Sequence, residues 1–129
     1  MKSGLYIVTL NNEELISVNA NDPRIADKCI KVNSAHCKFG KARDLSIRKA
    51  NYDKVFGEKN VNFEVIARLT DIAKAERLVL ATLSENRIRG RTDRKNEWLE
   101  KISSQEVKAR AIQRLRESGL PFESIETPA

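Results

Sequence analysis

A short apolar run near the start of the chain constrains the fold most. The segment Gly4-Leu5-Tyr6-Ile7-Val8-Thr9-Leu10 is rich in β-branched and aliphatic residues, and it ends at the turn-forming pair Asn11-Asn12. A run of this kind that is bounded by a turn signal is typical of a buried strand. The chain is therefore expected to begin with a strand of a buried sheet.

Later segments alternate between strand and helix patterns. The predicted elements are strands at 37–41 and 61–69 and helices at about 42–56, 70–86 and 103–118, with Gly57 and Gly119 as helix ends. Residues 13–37 are compatible with two short strands, at 15–18 and 29–32, with a breaker-rich segment between them. This order predicts one small mixed α/β domain over residues 1–118, followed by a flexible tail at 119–129.

Charge and cysteine content limit the partners and the compartment. The chain of 129 residues has a net charge of +6 and a pI near 9.5, which favours a polyanionic partner, although a merely soluble basic protein is the alternative. No apolar run approaches the roughly 20 residues that span a bilayer, and the N-terminal run is too short for a secretion signal. Two cysteines are too few for a disulfide scaffold, and with one histidine they lack a fourth zinc ligand. An intracellular, cytoplasmic protein without membrane contact is expected.

One predicted strand–helix corner has the residue types of a phosphate site. The segment Lys38-Phe39-Gly40-Lys41-Ala42-Arg43 turns from strand into helix, and Arg48 and Tyr52 follow four residues apart on one helix face. Lysine, arginine and tyrosine side chains that converge at a strand end suit a phosphate better than an apolar core. For either tyrosine of the chain taken alone, a place at the edge of the core is the alternative.

Glu76 lies on the apolar face of the second long helix. Its neighbours at helical spacing are aliphatic: Ile72, Leu80 and Leu83. A carboxylate on that face must be paired, protonated or bound to a cation. A salt bridge to Arg77 or to an arginine of the first helix is slightly favoured on periodicity alone. A Mg²⁺ site is the alternative, because Mg²⁺ keeps several waters and needs few protein ligands.

A basic segment follows this helix. Residues 86–96 carry five cations around Gly90, with only Asp93 opposing them. These cations are Arg87, Arg89, Arg91, Arg94 and Lys95. A basic loop is predicted here, which suits a polyanionic partner. A solvated basic loop is the alternative.

The motifs and their spacing together resemble the GIY-YIG nuclease superfamily. Gly4-Leu5-Tyr6 corresponds to the first signature and Lys38-Phe39-Gly40 to the second. Arg48 follows ten residues after Lys38, and Tyr52 lies one helical turn later. A lysine in the second signature resembles a phage- and virus-rich branch of the superfamily. That branch also shows an acidic-rich helix start, a later arginine and a Glu-Trp-Phe-like motif. The matching residues here are Glu76-Arg77, Arg87 and Glu97-Trp98-Leu99.

The resemblance implies a small, mainly antiparallel three-stranded sheet flanked by helices, and it implies roles for individual residues. Glu76 would bind Mg²⁺, with Mn²⁺ as a substitute, and Tyr6 would contact or deprotonate the attacking water. Arg48 would neutralise charge on the phosphorus. Lys38 would supply a cation that lowers the pKa of the Tyr6 phenol, or orient the water. Tyr52 would hydrogen-bond a phosphate oxygen or help to activate the water. The implied catalytic set is Tyr6, Lys38, Arg48, Tyr52, Glu76 and Asn96, with Asn86 as the alternative to Asn96.

The chain departs from the family pattern at three places. Leu5 and Phe39 replace isoleucines, which a buried strand tolerates. The two signatures are unusually far apart, so the resemblance implies an inserted hairpin or loop at about 11–36. No histidine follows one turn after Glu76.

The function that the resemblance implies is a metal-dependent DNA endonuclease. The basic loop at 86–96, together with Lys41 and Arg43, would grip the DNA backbone without reading base sequence. It would nick or cut both strands in a phage or mobile-element setting, as a homing or host-DNA-degrading nuclease. The first rival is a catalytically silent nucleic-acid-binding protein that keeps the fold, and the second is a structural domain with incidental charge. A homodimer through the last helix is left open.

Overall fold

The computed structural model describes residues 2–18, 30–89 and 95–125, and it describes the side chains of these residues except those of 95 and 96. Within these ranges the chain forms eight strands and three α-helices. In chain order they are β1 (Gly4–Leu10), β2 (Ile16–Ser17), β3 (Lys31–Val32), β4 (Cys37–Ala42), α1 (Leu45–Phe56), β5 (Val61–Arg68), α2 (Ile72–Thr82), β6 (Arg87–Arg89), β7 (Lys95–Leu99), α3 (Ser104–Ser118) and β8 (Glu123–Ser124).

The main sheet is antiparallel, with β1 near its centre. The strand order is β6-β7-β4-β1-β5-β8, and each neighbouring pair is antiparallel. The predicted sheet of three antiparallel strands is therefore confirmed as its centre, β4-β1-β5, and three short strands extend its edges. The register places Tyr6 opposite Gly40 and Leu5 opposite Lys41.

The two faces of the sheet carry separate cores. Successive side chains of a strand point to opposite faces. Leu5, Ile7 and Phe39 pack on one face with the apolar sides of α2 and α3. Tyr6 and Val8 pack on the other face with residues from α1, β5 and β7. The sheet thus lies between one helix on one side and two on the other, which confirms an α+β fold with flanking helices.

The helices begin and end at residues with identifiable capping chemistry. Asp44, Asp71 and Ser103 are the N-caps, and each side chain accepts hydrogen bonds from backbone N–H groups in the first turn. Gly57 and Gly119 follow the last turns of α1 and α3 with φ of 89° and 76°, values that suit glycine. These local signals explain why the predicted ends of α1 and α3 are close to the observed ones. The second helix, by contrast, ends at Thr82 and not at the predicted residue 86.

Three sequence-based expectations need correction. The first helix begins at Leu45 rather than at residue 42, because β4 continues through Ala42. The predicted basic loop 86–96 is in part a strand pair, since Arg87–Arg89 pairs with Lys95–Leu99. The expected flexible tail does not begin at 119, because Glu123–Ser124 pairs with β5 and Leu120 and Phe122 pack against the core.

The insertion contains the predicted pair of short strands. Ile16 of β2 pairs with Val32 of β3. The amide of Asn33 donates to the carbonyl of Glu13 at 3.0 Å, and that of Asn60 donates to the side chain of Asn12 at 2.9 Å. The insertion is therefore tied both to itself and to the start of β5. Across the described residues, none of the helices combines the length and the apolar character that a membrane crossing would need.

Candidate functional site

Tyr6 lies across the glycine of the second signature. Tyr6 is 1% exposed, and its ring stacks on that of Phe63 in β5 with a centroid distance of 4.8 Å. A Cβ built on Gly40 would stand 2.5 Å from the Tyr6 hydroxyl oxygen and 2.6 Å from the ring carbon that carries it. Glycine at position 40 therefore makes room for the phenol, and this links the two signature motifs physically.

Helix α1 brings Arg48 and Tyr52 to the same phenol. The hydroxyls of Tyr6 and Tyr52 share a hydrogen bond of 2.9 Å. The Nη1 group of Arg48 donates to the Tyr6 hydroxyl at 3.4 Å. Because Arg48 and Tyr52 are one helical turn apart, they reach one point from one helix face.

Lys38 completes this group from β4. Its Nζ lies 5.1 Å from the centroid of the Tyr52 ring and 3.7 Å from Oε2 of Glu97. The position over the ring is a cation–π contact. We name Tyr6, Lys38, Arg48 and Tyr52 the tyrosine cluster. The structure thus brings together four of the residues that the sequence predicted as catalytic.

Both phenols of the tyrosine cluster resist ionisation. Burial is the largest cause, and it raises the pKa of Tyr52 from 10.0 to about 12, against lowering contributions from Tyr6 and Arg48. Burial, followed by the charge interaction with Tyr52, also raises the pKa of Tyr6, whereas Lys38 and Arg48 act to lower it. At neutral pH both residues are therefore neutral phenols that can donate hydrogen bonds.

Two clefts flank the tyrosine cluster. The first cleft, of about 300 Å³, lies between α1 and β7, and Lys38, Arg48, Tyr52 and Trp98 contribute to its lining. The second, of about 400 Å³, lies at the corner where β4 leads into α1. The residues lining this corner cleft include Lys41, Ala42, Arg43, Asp44, Arg48 and Ile72. Arg48 lines both clefts, and four cations surround them, so the pair can accept a polyanion.

Glu76 lies on the other side of the sheet from the tyrosine cluster, and its ion-pair partner Lys41 lines the corner cleft. The side chain of Glu76 is 10% exposed, and Oε1 accepts a hydrogen bond of 2.7 Å from Nζ of Lys41. The expectation that Glu76 points along the apolar face is confirmed, since Ala75, Val79 and Leu80 of the same helix are also buried. Its observed ion-pair partner is a lysine of β4, not the arginine considered from the sequence.

Some of the remaining predicted site residues lie outside the described part of the chain, and the others lie within it. Arg91 and Arg94 lie outside the described residues, as do the side chains of Lys95 and Asn96. Asn86, the alternative to Asn96, makes a structural contact. Its side-chain amide donates a hydrogen bond of 3.0 Å to the backbone carbonyl of Glu100.

Two of the predicted DNA-contacting arginines, Arg87 and Arg89, lie on the edge strand β6, and Arg89 is exposed. A third, Arg43, lines the corner cleft and is exposed.

Two features of the site were missed from the sequence. Strand alternation could have identified the first: it places Lys41 on the face of Phe39, where α2 packs, and not on the face of Lys38. The second is Phe63, whose ring supports Tyr6 from β5. The sequence holds no local signal for it, because the contact depends on the register between β1 and β5.

Comparison with known proteins gives one match. The sequence model of the T5orf172 domain matches residues 12–116, about four-fifths of the chain. The matched range contains Lys38, Arg48, Tyr52 and Glu76, and it begins after Tyr6. No curated protein and no solved structure matches the chain.

Proposed function

The chain belongs to the T5orf172 domain family, a domain associated with nuclease-like proteins related to the GIY-YIG nucleases, and from this premise we propose that it is a metal-dependent DNA endonuclease. The observation that carries the proposal is the tyrosine cluster. Two tyrosines, a lysine and an arginine come from three separate elements and meet beside two cation-lined clefts. A structural role alone does not require this many donors at one point.

The residues of the cluster suit a phosphodiester. The guanidinium of Arg48, at the junction of the two clefts, would bind the scissile phosphate and offset the charge that builds up on its oxygens. Tyr6 and Tyr52, as neutral phenols, would donate hydrogen bonds to a phosphate oxygen or hold the attacking water. Their raised pKa values favour positioning over proton abstraction. In the reaction the water oxygen would form a bond to phosphorus while the bond from phosphorus to the 3′ oxygen breaks. The water would release one proton to solvent and the leaving 3′ oxygen would take one up, so that the products are a 5′ phosphate and a 3′ hydroxyl.

Glu76 is the residue that would hold the metal. Across the described residues, no group of three or more His, Cys, Asp and Glu is arranged to hold a metal ion, so the site would rest on one carboxylate. Mg²⁺ accepts such sites when waters and phosphate oxygens supply the other ligands. The carboxylate already holds one cation, the ammonium of Lys41, which indicates that a positive charge fits there. When bound, Mg²⁺ or Mn²⁺ would polarise the phosphate and stabilise the leaving oxygen.

Cleavage of a supercoiled plasmid tests the proposal. Wild type should nick the plasmid in Mg²⁺, and Arg48→Ala should lower the rate by roughly 10²–10³-fold, the scale for loss of one charge-stabilising donor. Glu76→Ala should abolish the cleavage that Mg²⁺ supports. The chain offers matched controls in Arg110→Ala and Glu106→Ala, because these residues form an exposed pair on α3 at 2.9 Å. Equal losses in the controls, or an intact plasmid with wild type across divalent metals, would refute the proposal.

A second candidate is a silent nucleic-acid-binding protein, and the Lys41–Glu76 ion pair is the observation that favours it. A carboxylate permanently neutralised by lysine would leave the fold and the basic surface without chemistry. This candidate predicts DNA binding that weakens steeply with salt and no cleavage in any metal. Fluorescence anisotropy with labelled duplex DNA, run beside the plasmid assay, separates the two.

A further inference from the structure

The ion pair between Lys41 and Glu76 lies at the boundary between core and cleft. Glu76 is 8% exposed and is the only charged residue classed as buried within the described ranges. The side chain of Lys41 is 40% exposed, and it lines the corner cleft with Arg43 and Arg48. The carboxylate of Glu76 is thus held in the core, whereas the ammonium of Lys41 lies next to the open cleft.

The carboxylate of Glu76 needs a cation in every state of the protein. A buried carboxylate without a counter-charge is costly, and a lysine at 2.7 Å supplies that charge without metal. A divalent ion on the same carboxylate would remove the need for the lysine. The two positive charges would also repel one another strongly at this distance.

The ammonium of Lys41 can move into the corner cleft when it leaves Glu76. This ammonium is a compact charge on a flexible four-carbon stem. The corner cleft that it lines has about 400 Å³ of space and contains Arg43 and Arg48, which attract a phosphate. A phosphate in this cleft would give the released ammonium a new partner.

We propose that the ammonium of Lys41 and a divalent metal ion are alternative occupants of the Glu76 carboxylate, and that Lys41 moves towards the substrate phosphate when the metal binds. The inference rests on the proposed function, because it assigns the metal to Glu76. Lys41 lowers the affinity of the free protein for metal, and bound substrate restores that affinity by holding Lys41 away. Metal and DNA therefore bind with positive coupling.

Mn²⁺ binding to the DNA-free protein tests this exchange. The bound fraction is measured by electron paramagnetic resonance for wild type, Lys41→Met, Glu76→Gln and Lys49→Met. Lys49 is the matched control, because it pairs with Asp53 at the same 2.7 Å on the exposed side of α1. Lys41→Met should bind Mn²⁺ about tenfold more tightly than wild type, within the usual range for coupled sites. Lys49→Met should match wild type, and Glu76→Gln should not bind.

Circular dichroism establishes that each variant is folded. Lys41→Gln, which removes the charge but keeps a hydrogen-bond donor, gives the same comparison if Lys41→Met does not fold. Equal or weaker Mn²⁺ binding by the Lys41 variants overturns the exchange. If wild type still cleaves plasmid in that case, the nuclease proposal stands without it. Absence of Mn²⁺ binding in wild type and in both Lys41 variants overturns the exchange and the metal site together.

Discussion

Alkaline titration of the two tyrosines gives a direct measure of the tyrosine cluster. Tyr6 and Tyr52 are the only tyrosines of the chain, so phenolate absorbance reports on this hydrogen-bonded pair alone. The perturbation is a rise in pH from neutral to strongly alkaline. We expect both phenols to ionise at a higher pH than free tyrosine, because burial raises both pKa values.

The size of this shift in the pH of ionisation follows from the pKa of Tyr52. With a pKa of 10.0, about nine-tenths of a tyrosine population is ionised at about pH 11, whereas with a pKa of about 12 only about one-tenth is. The folded state therefore holds the phenolic proton more tightly than the unfolded state does. Its contribution to stability is present below pH 10 and is lost as the pH rises from 10 towards 12. Two pKa units correspond to about 3 kcal/mol.

The assay combines ultraviolet absorbance of the phenolate with far-ultraviolet circular dichroism on the same samples. Denatured protein should titrate near pH 10, and native protein should show almost no phenolate until it unfolds or the pH nears 12. Tyr52→Phe leaves Tyr6 as the only reporter and should also titrate late. Half-ionisation near pH 10 with native circular dichroism would refute the reasoning, and it would reopen a role for Tyr6 as a base.

Three further predictions concern packing, capping and charge. Gly40→Ala should displace the Tyr6 phenol, lower the free energy of unfolding by about 1–3 kcal/mol in a urea titration, and slow plasmid nicking while DNA affinity is retained. Asp44→Ala should cost about 1 kcal/mol in the same titration, because α1 loses its N-cap bonds, and Asp44→Asn should recover most of it. Arg43→Ala should reduce the slope of log affinity for DNA against log salt by about 1, whereas Arg110→Ala should leave it unchanged, as anisotropy titrations can show.

Local signals in the sequence were enough to locate most of the fold. The strand at Gly4–Leu10 follows from an apolar run that ends at two asparagines, and the end of α1 follows from Gly57. The short strands β6 and β8 were missed because each depends on pairing with another strand, which is β7 for β6 and β5 for β8. A segment of two or three residues carries too little pattern to be found before its partner is known.

In the candidate site, too, local sequence patterns predicted some features, whereas others depended on how separate elements pack together. The spacing of Lys38, Arg48 and Tyr52 identified one helix face and one strand, and the structure brings the three together around Tyr6. The partner of Glu76 depended on which face of β4 each side chain occupies. Periodicity of α2 placed the carboxylate in the core, but it contained no information on the strand beneath it. The sequence therefore predicts a DNA contact for Lys41 but not the hydrogen bond that its ammonium donates to Glu76.

The central position of β1 has a consequence for how the chain folds. This strand is made before its partners β4 and β5, which lie 27 or more residues later in the chain, since β1 ends at Leu10 and β4 begins at Cys37. Two long loops must close before its backbone groups are paired on both sides, and such non-local pairing slows folding. During synthesis the run Gly4–Leu10 therefore leaves the ribosome as an unpaired apolar strand. Until β5 has emerged, it is the segment most exposed to aggregation and to capture by chaperones.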